Sequence, residues 1–197
     1  MGKVISEACL CKRYHAVMAK FFNTAGPNQP AIHYTLPPRE RIDWPELSAL
    51  IDASKYFIRH APRQTGKTSL LLNLMRFINA QGRYCALYIN IEAAQAARND
   101  VERAERGMVQ ALASAARHYW KDPQAEKTAV DILQQPASGE RVRLVLQTWS
   151  EQSPLPLLIF LDEVDALVGD TLISLLRQIR AGYAQRPEAF PHSMILC

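Results

Sequence analysis

The tetrad Gly66-Lys67-Thr68-Ser69 stands between a strand-like run, Lys55-Tyr56-Phe57-Ile58-Arg59-His60, and a stretch in which Leu70, Leu71, Leu74, Phe77 and Ile78 recur at helical spacing until Gly82. A strand, a short glycine loop and an amphipathic helix in that order constrain the chain to an α/β fold, because the loop must carry it from a buried sheet into a helix packed on that sheet. The loop chemistry suits phosphate: backbone N–H groups at the positive end of a helix converge on anionic oxygens, and glycine lets the backbone come close. The stretch Ala61, Pro62, Arg63, Gln64, Thr65, Gly66, Lys67, Thr68 fits the pattern G-x-x-x-x-G-K-S/T except at its first position, where Ala61 stands for glycine. Pro62 fixes its own φ and pushes Ala61 into an extended conformation, so proline stiffness is expected to set the corner that glycine usually makes. Lys67 would offer an ammonium to the β and γ phosphates, and Thr68 a hydroxyl to Mg²⁺, a cation that favours oxygen ligands.

A second motif, Leu157-Leu158-Ile159-Phe160-Leu161-Asp162-Glu163-Val164-Asp165, is an apolar run that ends in carboxylates. A strand buried on both faces needs near-continuous hydrophobics, and its carboxyl end is where an open α/β sheet presents ligands. Asp162 is therefore expected to face Thr68 across the magnesium, with Glu163 as the general base that polarises the attacking water. Taken alone, a buried strand that exits into an acidic turn would read the same way. A carboxylate beside the metal ligand suits hydrolysis by water more than transfer to a bound acceptor. The chain has no Asn-Lys-x-Asp guanine-reading tetrapeptide, so ATP is the expected ligand. About 95 residues separate Lys67 from Asp162, room for a further strand and two helices, which suits a sheet with a strand inserted between the two motif strands.

These two motifs, with Gly169-Asp-Thr-Leu-Ile-Ser174 and Phe21-Phe-Asn-Thr-Ala-Gly-Pro27, resemble the AAA-like P-loop ATPases of bacteria, kin to the archaeal-ATPase and signal-transducing (STAND-type) NTPases. The resemblance spans Phe21 to Cys197. It implies a three-layer α/β/α sandwich with a parallel sheet, binding of ATP with Mg²⁺ and hydrolysis of the β–γ phosphoanhydride that drives a conformational switch. In that reading Lys67 and Glu163 are catalytic, Ala61 to Ser69 bind the phosphates, and Thr68 and Asp162 hold the metal. In the family the chain continues past the strand that here reads Ser193-Met-Ile-Leu-Cys197 into a sensor segment and a helical lid, so the resemblance implies a domain cut short at its carboxyl end. Two alternatives stay open: a nucleotide-binding interaction or switch module with negligible turnover, and a truncated remnant. The family also places Tyr34 or Pro37 against the base, although an aromatic in a proline-rich loop is at least as often simple packing; Arg177, Arg180 or Arg186 could reach a neighbour's γ phosphate as arginine fingers do in ring ATPases, although arginines on the last turn of a helix more often satisfy its dipole.

With 197 residues, 48% of them hydrophobic, the chain is long enough to bury one core. Residues 1–20 read as an N-terminal extension, disordered or loosely helical, and 21–197 as the α/β domain. The net charge of +4 is spread along the chain, and no basic stripe with interleaved aromatics indicates nucleic acid. Arg98, Arg103, Arg106 and Arg117 alternate with Asp100, Glu102 and Glu105, the pattern of a solvated helix face. Cys9, Cys11, Cys85 and Cys197 have no zinc-like spacing. Without a signal peptide or membrane span in the sequence, a cytoplasmic protein is expected, its partner a second protein or a further copy of itself. Strands are expected near 55–60, 84–91, 156–162 and 193–197, and helices near 45–53, 67–81, 98–120, 139–152 and 171–181, the last capped by Asp170.

Overall fold

Four short strands, β1 (Tyr56–Ile58), β2 (Cys85–Asn90), β3 (Leu157–Asp162) and β4 (Ser193–Leu196), lie parallel in the order β1-β4-β3-β2. The computed structural model describes residues 20–197 other than 25, 27, 38, 39, 61, 63, 64, 137 and 138. The expectations for residues 1–19 and for Ala61, Arg63 and Gln64 lie outside the described residues. Two compact units divide the chain, one ending at Thr35 and the other running from Leu36 to Cys197. In the first, Phe21 bridges His33, and the two rings meet edge to face at 4.8 Å, while Tyr34 leans on Phe22 at 4.9 Å.

The second unit carries the sheet and six α-helices among its described residues: α1 (Trp44–Asp52), α2 (Lys67–Gln81), α3 (Val101–Ala115), α4 (Pro123–Gln134), α5 (Arg141–Gln152) and α6 (Asp170–Gly182). Their ends follow from local chemistry. Asp43, Asp100 and Asp122 accept backbone N–H bonds from the first turns of α1, α3 and α4, the arrangement that satisfies otherwise orphaned donors. Gly82, left-handed at φ 67°, closes α2. On one side of the sheet α1 and α2 bury Leu47, Ile51, Leu71, Leu74 and Ile78 against Ala86, Tyr88, Leu158, Phe160 and Ile195. On the other side α3 to α6 pack on Leu87, Ile89, Leu157, Ile159, Leu161 and Met194. Every residue of β3 is buried, as a strand covered on both faces must be.

Several expectations change here. The expected strand between the two motif strands is present, but it is β4, the last in sequence, whereas β2, which intervenes in sequence, forms the far edge. The expected helix over 98–120 begins at Val101 and widens into a π-helical turn, Ala116–Trp120, and α4 follows it as a further helix. Asp170 does not cap α6; it opens the first turn, behind Gly169 at φ 57°, where a Cβ would collide with the Asn99 side chain. The edge of β2 is covered by side chains: the Asn79 amide pairs with both N–H and C=O of Ala86, and the Trp120 indole N–H reaches the same carbonyl. That coverage occupies groups that would otherwise template another strand.

Gly182 ends α6 with no room for a side chain, since a Cβ there would overlap the ring of Phe190, itself fully buried. In an open helix Gly→Ala gains up to about 1 kcal/mol, but overpacking a closed core costs about 1–3 kcal/mol. Gly182→Ala is therefore expected to lower the urea midpoint, and an unchanged or raised midpoint would show that Phe190 can move aside.

Candidate functional site

Register brings the two motifs to one edge of the sheet. Ile58 pairs with Leu196, and Leu196 with Leu161, so the carboxyl ends of β1, β4 and β3 are level. The loop that leaves β1 and the acid that ends β3 therefore open on the same rim, where a parallel sheet presents its ligands. Strand alternation settles the face: Leu158 and Phe160 point to α2, so Asp162, two residues on, does too.

The loop meets α2 at Gly66, whose φ of 79° is left-handed and costs glycine little. The Thr65 hydroxyl donates to the Pro62 carbonyl at 2.8 Å and closes a turn. Leu70 N–H returns to Gly66 O at 3.0 Å, the first bond of α2, so the N–H groups of Lys67 and Thr68 precede the helix's own hydrogen-bond ladder. Lys67 and Thr68 are half-buried in that first turn, and Ser69 is buried.

Asp162 is fully buried, yet three donors converge on it. Thr68 Oγ1 donates to Oδ2 at 2.7 Å and the Tyr88 phenol donates to the same oxygen at 2.9 Å. Oδ1 accepts the Glu163 backbone N–H at 3.2 Å. A buried carboxylate needs such partners, because desolvation without them would cost several kcal/mol. Glu163 follows in a left-handed backbone conformation, φ 62° and ψ 37°, uncommon for a residue with a side chain and costing about 1 kcal/mol or more. Burial raises its carboxyl above the usual range, and the charges of Asp162, Asp165 and Glu92 raise it further, opposed by Lys67. A carboxylate so raised is a stronger base than one in water. Burial, then the Asp162 charge, push the Tyr88 phenol far above its ordinary value, so it remains a donor.

Three residues at this rim escape sequence reasoning. Arg41, just before α1, donates Nη2 to the Thr65 carbonyl at 2.6 Å and lies over Gly66; an arginine in a proline-rich arm gives no signal. Tyr88 sits in an apolar strand, where the one clue is that a buried phenol needs an acceptor. Cys197 reaches the rim through its backbone, its N–H on Leu161 O and its carbonyl receiving Val164 N–H, and burial pushes its thiol up to about 11. Beside the acids runs an open groove lined by Glu92, Gln95, Arg98 and Val168. Arg186 is elsewhere: its guanidinium stacks on Tyr183 at 3.4 Å and donates to the Ser54 carbonyl, near the amino end of β1. These contacts hold it away from this chain's own loop.

The metal question turns on donor chemistry. Among the described residues no cluster of three or more His, Cys, Asp or Glu side chains could cage a cation. A hydroxyl and a carboxylate 2.7 Å apart are an all-oxygen pair. They fit Mg²⁺, which takes one or two protein oxygens and fills its shell with water and phosphate. Thr68 and Asp162 would hold it. No helix among the described residues is long and apolar enough to cross a membrane. The chain matches no family model and no curated protein.

Proposed function

We propose that residues 36–197 form a Mg²⁺-dependent P-loop ATPase domain, akin to the AAA-like group, which binds ATP and hydrolyses its β–γ phosphoanhydride. The observation that carries this reading is the hydrogen bond from Thr68 to Asp162, which joins two motifs 94 residues apart in sequence. Either motif alone has an ordinary structural explanation; chance would not bring the hydroxyl of one onto the carboxylate of the other at the sheet's carboxyl rim. Phosphates would be bound by the N–H groups that open α2 and by the Lys67 ammonium. Mg²⁺, when bound, would neutralise charge on the phosphate oxygens. Glu163 would take the proton of the attacking water as that water bonds to the γ phosphorus, and ADP would leave with the former bridging oxygen. Loss of the γ phosphate would then shift a conformational equilibrium that an attached or associated protein reads. A cytoplasmic setting, where ATP is plentiful and thiols stay reduced, suits the unpaired Cys85 and Cys197.

Fluorescent-ATP binding to the purified chain and its Lys67→Ala variant tests the reading. A hydrogen bond from a charged donor is worth about 1.5–3 kcal/mol, so the variant is expected to bind about 10- to 100-fold more weakly at an unchanged melting temperature. Equal affinity in both proteins, or none in the wild type, would remove the nucleotide from the reading.

A further inference from the structure

Tyr88 lies at the middle of β2, paired with Phe160 of β3, so Asp162 is two residues further on the same face of the neighbouring strand. Its ring is almost wholly buried, 5% exposed, and is held edge-on by Tyr119 of the π-helical turn at 6.1 Å and 88°. Its backbone N–H is directed at Met75 Sδ, 3.3 Å away. The phenol therefore has little freedom, and its hydroxyl reaches one carboxylate oxygen, Asp162 Oδ2.

That oxygen already receives the Thr68 hydroxyl. A carboxylate oxygen has two lone pairs, so Oδ2 is saturated, and rotation of the carboxyl would break both bonds at once. Oδ1, which accepts only the Glu163 N–H at 3.2 Å, is the oxygen with acceptor capacity to spare. Thr68 directs its hydroxyl hydrogen at Asp162, so its oxygen lone pairs remain the acceptor side of the group. Deleting the Tyr88 hydroxyl would leave Thr68 as the one side chain that orients the acid, beside the long bond from the Glu163 N–H.

We propose that Tyr88 is a positioning residue of the cation site: its phenol locks the Asp162 carboxylate in one rotamer and leaves Oδ1 and the Thr68 hydroxyl oxygen as the acceptors offered to a divalent cation. This rests on the magnesium–nucleotide reading above. Groups that orient metal-binding side chains typically change metal affinity by about 10- to 100-fold when removed. A single neutral hydrogen bond belongs at the lower end of that range.

The test is a Mg²⁺ titration of fluorescent-ATP binding on the full chain and its Tyr88→Phe variant, with melting temperature recorded on both. The Mg²⁺ concentration for half-saturation should rise about 10-fold, while nucleotide affinity in EDTA stays the same. Tyr88→Met, which also lacks the hydroxyl but is flexible enough to refill the site, should give the same shift and replaces Phe should that variant not fold. In an Asp162→Asn background the Tyr88 substitution should add nothing. A lowered melting temperature with an unmoved Mg²⁺ midpoint, or equal weakening with and without metal, would reduce Tyr88 to a packing residue. A wild type that binds ATP without regard to Mg²⁺ would remove the cation site, and one that binds no ATP would remove the whole nucleotide reading; an unshifted midpoint in a Mg²⁺-responsive pair overturns the Tyr88 assignment alone.

Discussion

Glu163→Gln is expected to lower phosphate release from MgATP by about 10²- to 10⁴-fold, the usual contribution of a positioned general base, while fluorescent-ATP affinity holds or rises. Gln keeps the size and shape of the side chain but cannot accept a proton. It also removes one negative charge from a rim already carrying Asp162, Asp165 and Glu92, whose fields raise the Glu163 carboxyl. Binding of an anionic ligand should gain from that change. Glu163→Gly adds a separate control. Relief of the left-handed backbone, φ 62°, contributes about 1 kcal/mol, and the added unfolded-state entropy of glycine costs nearly as much. Melting should therefore barely move while turnover is lost, separating a chemical role from a structural one. Equal background release from wild type and both variants, with tight binding in all three, would end the hydrolytic reading and leave a nucleotide-bound module.

Most of what made the site legible is short-range. Gly66 to Ser69 and Leu157 to Glu163 are contiguous words whose chemistry and whose strand or helix context can be read together. The four strands fall near their expected places because buried parallel strands are apolar runs bounded by turns. α4 is harder to see, since its buried residues are Ala125, Thr128, Ala129 and Ile132, and small side chains give a weak amphipathic signal. Its start is better marked, by Asp122 as cap and Pro123 in the first turn. The order of strands is another matter. β4 enters between β1 and β3 through packing alone, and the meeting of Tyr88, Thr68 and Asp162 depends on that register, not on any spacing in the chain. Glu105 was expected on a solvated face because arginines flank it. Its position relative to Met108, Val109 and Leu112, at i+3, i+4 and i+7, puts it on the apolar stripe of α3, where all four are buried.

Removing that carboxylate should be strongly destabilising, on a par with truncating a large core side chain. Glu105 is fully buried and Arg141 is 2% exposed, with Nη1 and Oε2 3.2 Å apart. The same carboxylate accepts the backbone N–H of Arg141 at 2.6 Å and of Gly139 at 2.9 Å, and Arg141 Nη2 donates to the Gln135 carbonyl. One acid thus ties α3 to the start of α5 and closes the connection from α4. The partner is less well served, because Arg141 Nε is buried without a hydrogen bond. Glu105→Ala leaves two backbone donors without an acceptor and the Arg141 guanidinium with only the Gln135 carbonyl and the exposed Glu102 carboxylate, 3.9 Å from Nη2, and loss of one member of a buried ion pair costs about 3–5 kcal/mol. Against a typical domain stability of about 5–15 kcal/mol, urea unfolding should show a large fall in midpoint. Replacing both residues with apolar ones, as in Glu105→Leu with Arg141→Met, should recover much of the loss, since a buried pair contributes little net stability over a well-packed hydrophobic pair. The backbone donors of Gly139 and Arg141 would still lack their acceptor, so recovery should stop short of wild type by about 1–3 kcal/mol. A single Glu105→Ala variant that unfolds at the wild-type midpoint would mean that water reaches Arg141 and the connection from α4 to α5 opens readily.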